Sequence, residues 1–226
     1  IEGGMFEFLH RVILTDIKPP VFHQMMKEKG SQLNAWVLSK LEPDLQGIAG
    51  GFKEKFQNYY FTDDSSKFML ERRILQAAHY LATSWEFRII YSMNPFIYGI
   101  EKTKDEIEDQ MEDYYDLIGV QKIALGRKSF GFADLCGQLR FQQRWAQSPR
   151  LPKTSVLGHM LIVAMLSYLC SNEIGACDRR IYNNYFAGLF HDLPEVLTRD
   201  IVSPIKSSVE GLNELISQYE ARQIEE

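Results

Sequence analysis

Apolar residues recur mostly every three or four positions along the chain, and no stretch alternates apolar and polar residues long enough to demand a sheet. The pattern predicts an all-α protein. Residues 5–15 and 33–41 read as short helices separated by Pro19 and Pro20, while Gly47, Gly50 and Gly51 weaken any helix across 46–60. Residues 1–66 therefore read as a loosely specified helical appendage. Asp63, Asp64, Ser65 and Ser66 then offer a helix start. A long pattern follows from Lys67 to about Ser92, with Met69, Ile74, Ala77, Ala78, Leu81 and Trp85 on related turns, until Pro95 stops it.

An acidic helix is expected over 102–118, where Glu106, Glu108, Asp109, Glu112 and Asp113 surround a stripe of Ile107, Met111, Tyr114 and Ile118. Its acidic side reads as a solvated face, because a metal site there would need inward histidines that the segment lacks. Helical patterns then follow at Phe132 to Trp145, Ser155 to Cys170 and Arg179 to Phe190, with Pro149 and Pro152 in the loop after the first. A last amphipathic pattern runs through Val209, Leu212, Leu215, Ile216 and Tyr219. Residues 67–226 form the expected main domain, without internal repeats.

The 226 residues, 45% hydrophobic and 24% charged, fit one globular domain or a domain plus a smaller helical appendage, and exclude disorder. A net charge of -5 argues against a broad polyanion-binding surface, so nucleic acid polymers are not expected partners. Any phosphate must be gripped locally by a few placed cations. Cys136, Cys170 and Cys177 form no CxxC pair, which suggests neither a disulfide framework nor a cysteine zinc site and points to the cytoplasm. The run Met160 to Leu166 reads as too short to cross a bilayer, so no membrane association is expected. Ile1-Glu2-Gly3-Gly4 before Met5 reads as a processed end or an excised fragment.

Of the five histidines, His10, His23 and His79 have plain surroundings and read as surface or hydrogen-bonded core residues. His159 stands in the first turn of the apolar helix, and His191 directly precedes Asp192 at the end of the next one. Neutral imidazole and carboxylate oxygen suit a divalent cation, and an open coordination position would activate water. Adjacent helical residues point about 100° apart, so His191 and Asp192 can share an ion only near a seam between helices. His159, on the preceding antiparallel helix, is placed to complete the set. By spacing alone the signal is weak, and ordinary structural roles stay open.

The context is more specific. His191-Asp192-Leu193-Pro194-Glu195-Val196-Leu197-Thr198-Arg199-Asp200-Ile201-Val202-Ser203-Pro204-Ile205-Lys206, with Arg144-Trp145 fifteen residues before His159 and with Ser155-Val156, resembles the HD superfamily of metal-dependent phosphohydrolases. Within it, the stretch looks like the bacterial 5'-deoxynucleotidase branch. The resemblance covers about Phe132 to Lys206. It implies an HD-domain helical bundle with an N-terminal helical extension, in which His159, His191 and Asp192 bind a divalent ion. Manganese, cobalt, magnesium, zinc and iron all suit that donor set. It further implies catalytic roles for Glu195 and Asp200, a phosphate grip for Arg144, and a wall at Trp145 that excludes a ribose 2'-hydroxyl.

Two departures stand out. Gly158 occupies a position where relatives often carry glutamate, and no aspartate lies between Ile201 and Glu226 to supply the family's fourth ligand. Glu210, Glu214 and Glu220 do not match that motif, so the expected ligand lies beyond Glu226. The resemblance implies hydrolysis of (deoxy)nucleoside 5'-monophosphates to nucleoside and phosphate, a small-molecule substrate, and leaves a homodimer open. Two alternatives stay compatible with the motif: an HD hydrolase of a dNTP, cyclic nucleotide or alarmone, and a degenerate HD module that senses a nucleotide.

Overall fold

The structure, a computed structural model, describes residues 1–225 except 16, 18, 63, 65, 147, 148, 150, 200 and 202. For 19, 20, 23, 203 and 223–225 it describes the backbone alone, so His23 and the histidine reading attached to it fall outside the described side chains. The protein is all-α. Among the described residues no strand forms, and one antiparallel bridge pairs Gln143 with Ser155. The chain divides into two compact units, the first Ile1–His79 with Asn172–Gly175 and the second Tyr80–Ser171 with Ala176–Glu226.

The first unit holds α1 (Glu2–Leu14), α2 (Pro19–Leu45), α3 (Phe52–Phe61) and the start of α4 (Met69–Met93). Helix α2 is one continuous element, longer than the segment expected at 33–41, because Pro19 and Pro20 sit in its first turn. There a missing N–H costs nothing. The glycines that seemed to weaken 46–60 instead make the turn before α3, with Gly47, Gly50 and Gly51 all at positive φ. Phe6 anchors the core of this unit, its ring 5.2 Å from Phe52, 5.5 Å from Phe56 and 5.6 Å from Tyr59. Met5 is fully buried within α1, so the segment beginning Ile1-Glu2-Gly3-Gly4 feeds directly into packed helix. His10 is buried, bonded to Asn34 at 3.0 Å and stacked on Tyr60, whereas exposed His79 faces Glu7 at 3.6 Å.

The second unit continues through α5 (Ile100–Glu112), α6 (Ile118–Ala124), α7 (Lys128–Gln138), α8 (Val156–Glu173), α9 (Asp178–Phe190), α10 (Glu195–Thr198), α11 (Ser203–Lys206) and α12 (Leu212–Glu225). The acidic helix ends at Glu112, earlier than expected, and carries the pairs Lys102–Glu106 and Lys104–Glu108 along its surface. Helix α7 packs closely on Trp85: a Cβ at Gly137 would come within 2.6 Å of the indole, whose Nε1 donates to Asp134 at 2.7 Å.

Helix α8 has 18 residues and a mean hydropathy of 1.3, and by length and composition it is apolar enough to cross a membrane. The run Met160 to Leu166 understated it. One face of α8 is core, with Val156, Met160, Ala164, Met165, Tyr168 and Ser171 buried, and a core helix of a soluble protein meets the same criteria. Leu139, Val156, Met160 and Leu193 form a buried cluster, against which Leu135, Cys136, Leu157 and Val196 pack. Three of these residues adjoin site candidates directly in sequence: Met160 follows His159, Leu193 follows Asp192, and Val196 follows Glu195. Burial of Met160 and Leu193, with partly buried Val196 packed against them, fixes the backbone that carries the polar residues.

Candidate metal centre

Helices α8 and α9 approach closely where Gly188 meets Ala164. A Cβ at Gly188 would lie 3.0 Å from Ser167 Oγ and 3.1 Å from the Ala164 Cα, so only glycine accepts this spacing without displacement. At the far end of the pair, Asn184 donates to Ser171 Oγ at 2.9 Å. These contacts set the beginning of α8 beside the end of α9, which is where His159 and His191 stand.

The N-terminus of α8 is fixed twice. Ser155 Oγ accepts the Gly158 N–H at 3.1 Å, satisfying one of the helix's orphan donors. The short bridge beside it tethers the preceding segment: Arg144 N–H donates to Thr154 O and Val156 N–H donates to Gln142 O, both at 2.9 Å. This tether carries Arg144 to the start of α8 despite the long loop between them.

Asp192 Oδ2 is the point of convergence. It lies 3.1 Å from His191 Nε2, 3.5 Å from His159 Nε2 and 2.7 Å from Arg144 Nη1. The candidate ligand atoms of His159, His191 and Asp192 all lie within 4.8 Å of one another. Metal bonds of roughly 2.0–2.2 Å place neighbouring donors about 3 Å apart, so the two distances to Oδ2 are near those of a coordination sphere. The donor chemistry fits as well. His191 Nδ1 donates to the Gly188 carbonyl at 2.8 Å, which orients the ring so that Nε2 faces Asp192.

The turn after α9 brings in Glu195. Leu193 N–H donates to Phe190 O at 3.1 Å and Glu195 N–H to Asp192 O at 3.0 Å, and Pro194 then opens α10. The proline does break the helix, yet the tight turn keeps Glu195 near: its Oε2 lies 3.6 Å from Arg144 Nη1, the same atom that contacts Asp192. Glu195 is buried. A carboxylate held there lies three residues after the candidate ligand Asp192 and faces a guanidinium, an arrangement that can accept a proton from water.

The remaining expected residues are less closely grouped. Trp145 is exposed at 44% and adopts φ 55°, a left-handed backbone that is uncommon for a bulky residue and turns the chain sharply after Arg144. Asp200 lies outside the described residues. Glu220 of α12 is engaged elsewhere, accepting a hydrogen bond from Thr198 Oγ1 at 2.6 Å, and among the described residues no α12 glutamate joins the ligand group.

Two contributors escaped the sequence reading. Gln142 donates from Nε2 to the Val196 carbonyl at 3.3 Å, joining the segment before Arg144 to the helix that carries Glu195. Gly188 sets the approach of α8 and α9 and also accepts from His191. A glycine three residues before a His-Asp pair was the available signal for the second; Gln142 left none.

Among curated proteins and solved structures, none matches the chain. The HD-domain family model matches residues 136–226, less than half of the sequence. HD domains bind divalent metals and generally belong to hydrolases, in keeping with the candidate cluster. That stretch is the one that supplies Arg144, His159, His191, Asp192 and Glu195, and the match supports assigning this part of the chain to the HD superfamily.

Proposed function

We propose that the protein is a divalent-metal phosphohydrolase that converts (deoxy)nucleoside 5'-monophosphates to nucleoside and orthophosphate. The observation that carries the reading is the convergence of His159 Nε2, His191 Nε2 and Asp192 Oδ2, with Arg144 and Glu195 at the same point. A divalent ion held by the three supplies Lewis acidity toward a phosphoryl oxygen and toward water. Arg144 grips the non-bridging oxygens, for which its planar fork is suited. Glu195 orients the attacking water and accepts its proton. Asp200 is proposed to act at the leaving oxygen.

The preference for a monophosphate rests on the sequence resemblance around His191 and on the Arg144-Trp145 pair, where Trp145 would lie against the sugar. The same reading takes the substrate as a free nucleotide in the cytoplasm, and Cys136, Cys170 and Cys177 are free thiols, as a reducing compartment requires. The test is phosphate release from each dNMP and NMP with added manganese or cobalt. Release that His191→Ala leaves unchanged would remove the proposed centre, and release from triphosphates alone would replace the substrate.

A further inference from the structure

Asp192 Oδ2 serves two kinds of partner at once. Two imidazole Nε2 atoms face it at 3.1 and 3.5 Å, and a guanidinium nitrogen contacts it at 2.7 Å. The oxygen available to a divalent ion is therefore also the oxygen that balances the charge of Arg144. The side chains of Arg144 and Asp192 are only 22% and 13% exposed, so water screens this junction incompletely. Two cations on one carboxylate oxygen repel each other, and Glu195, 3.6 Å from the same Nη1, offsets part of that repulsion.

We propose that Arg144 couples metal binding to phosphate binding. Its guanidinium opposes the divalent ion by sharing Asp192 Oδ2, and a phosphate anion that takes up the guanidinium N–H groups relieves the opposition. Metal and phosphate then bind cooperatively through one side chain, and the coupling is reciprocal. Arg144 is in this sense a positioning residue for the metal as well as a ligand for the anion. The inference rests on the metal centre proposed above and adds a regulatory consequence to it: the ion is held most tightly when a phosphate is present.

The experiment is calorimetric titration of manganese into the full chain at low ionic strength, with and without inorganic phosphate, for the wild type, Arg144→Gln and Arg144→Lys. Circular dichroism verifies that all three retain the helical fold. Without phosphate, Arg144→Gln binds manganese about tenfold more tightly than the wild type, a factor within the usual range of coupling between sites. Arg144→Lys keeps the charge and stays closer to the wild type than to Arg144→Gln. Phosphate tightens manganese binding in the wild type by a factor at least about three times larger than in Arg144→Gln.

Equal or weaker manganese binding by Arg144→Gln overturns the proposal, as does an equal gain from phosphate in the two proteins. If the wild type binds manganese and His191→Ala abolishes that binding, those results dismiss the coupling alone. If the wild type binds no manganese, the coupling and the metal centre fall together.

Discussion

The carbonyl of Gly188 accepts a hydrogen bond from His191 Nδ1 at 2.8 Å, while the space above the Gly188 Cα is closed by Ala164 and Ser167. One residue thus orients one candidate ligand and sets the distance to the helix that carries the other. Gly188→Val forces α8 and α9 apart. Overpacking of this kind costs about 1–3 kcal/mol, read as a lower denaturation midpoint. Manganese affinity, measured by calorimetry under folded conditions, falls by about tenfold as His159 and His191 separate. A variant with unchanged stability and affinity would show that the close approach is not needed.

Glu195 faces Arg144 and lies beside the candidate ligands without belonging to their group. Glu195→Gln keeps the shape and removes the base. Phosphate release should fall by about 10²–10⁴-fold, the usual contribution of a positioned proton acceptor. Metal stoichiometry, measured by elemental analysis, stays at the wild-type value. Loss of the metal with the activity would make Glu195 a ligand instead.

Met160 is almost fully buried in the cluster below the site and directly follows His159. Met160→Ala leaves a cavity there and should cost about 2–5 kcal/mol in urea denaturation. A cost below about 1 kcal/mol would mean that the cluster collapses around the gap without loss.

Burial holds the His10 imidazole below its ordinary value of 6.5, with Arg11 acting in the same direction and the hydrogen bond to Asn34 opposing them. The folded state therefore resists protonation that the unfolded chain accepts. The stability contribution of neutral His10 is complete above pH 6.5 and is lost as the pH falls from there toward the lowered folded value. Thermal melts across this window should show a decline in stability that His10→Gln makes shallower. An identical decline in both proteins would assign it to other groups.

The site was more legible in the sequence than the scaffold around it. His159, His191, Asp192 and Glu195 stand out because their sequence context resembles the HD superfamily, which implies a shared ion, whereas their spacing alone carries only a weak signal. The continuity of α2 could not be anticipated, because Pro19 and Pro20 break helices in the interior and start them at the first turn, and position within an unformed helix is not written locally. The link from Arg144 to Asp192 depends on the Gln143–Ser155 bridge, a pairing across a proline-bearing loop with no periodic signature. Sequence suggested a guanidinium reaching for phosphate. The fold shows the same group already bound to a carboxylate that the ion would use.

His159, His191 and Asp192 are proposed to hold one divalent ion. The most direct test is the manganese stoichiometry of the purified chain, measured beside His191→Ala and Asp192→Ala with fold verified by circular dichroism. The expected result is one tightly bound ion per chain in the wild type and loss of that site in both variants. Wild-type stoichiometry retained in either variant, or no bound ion in the wild type, would contradict it.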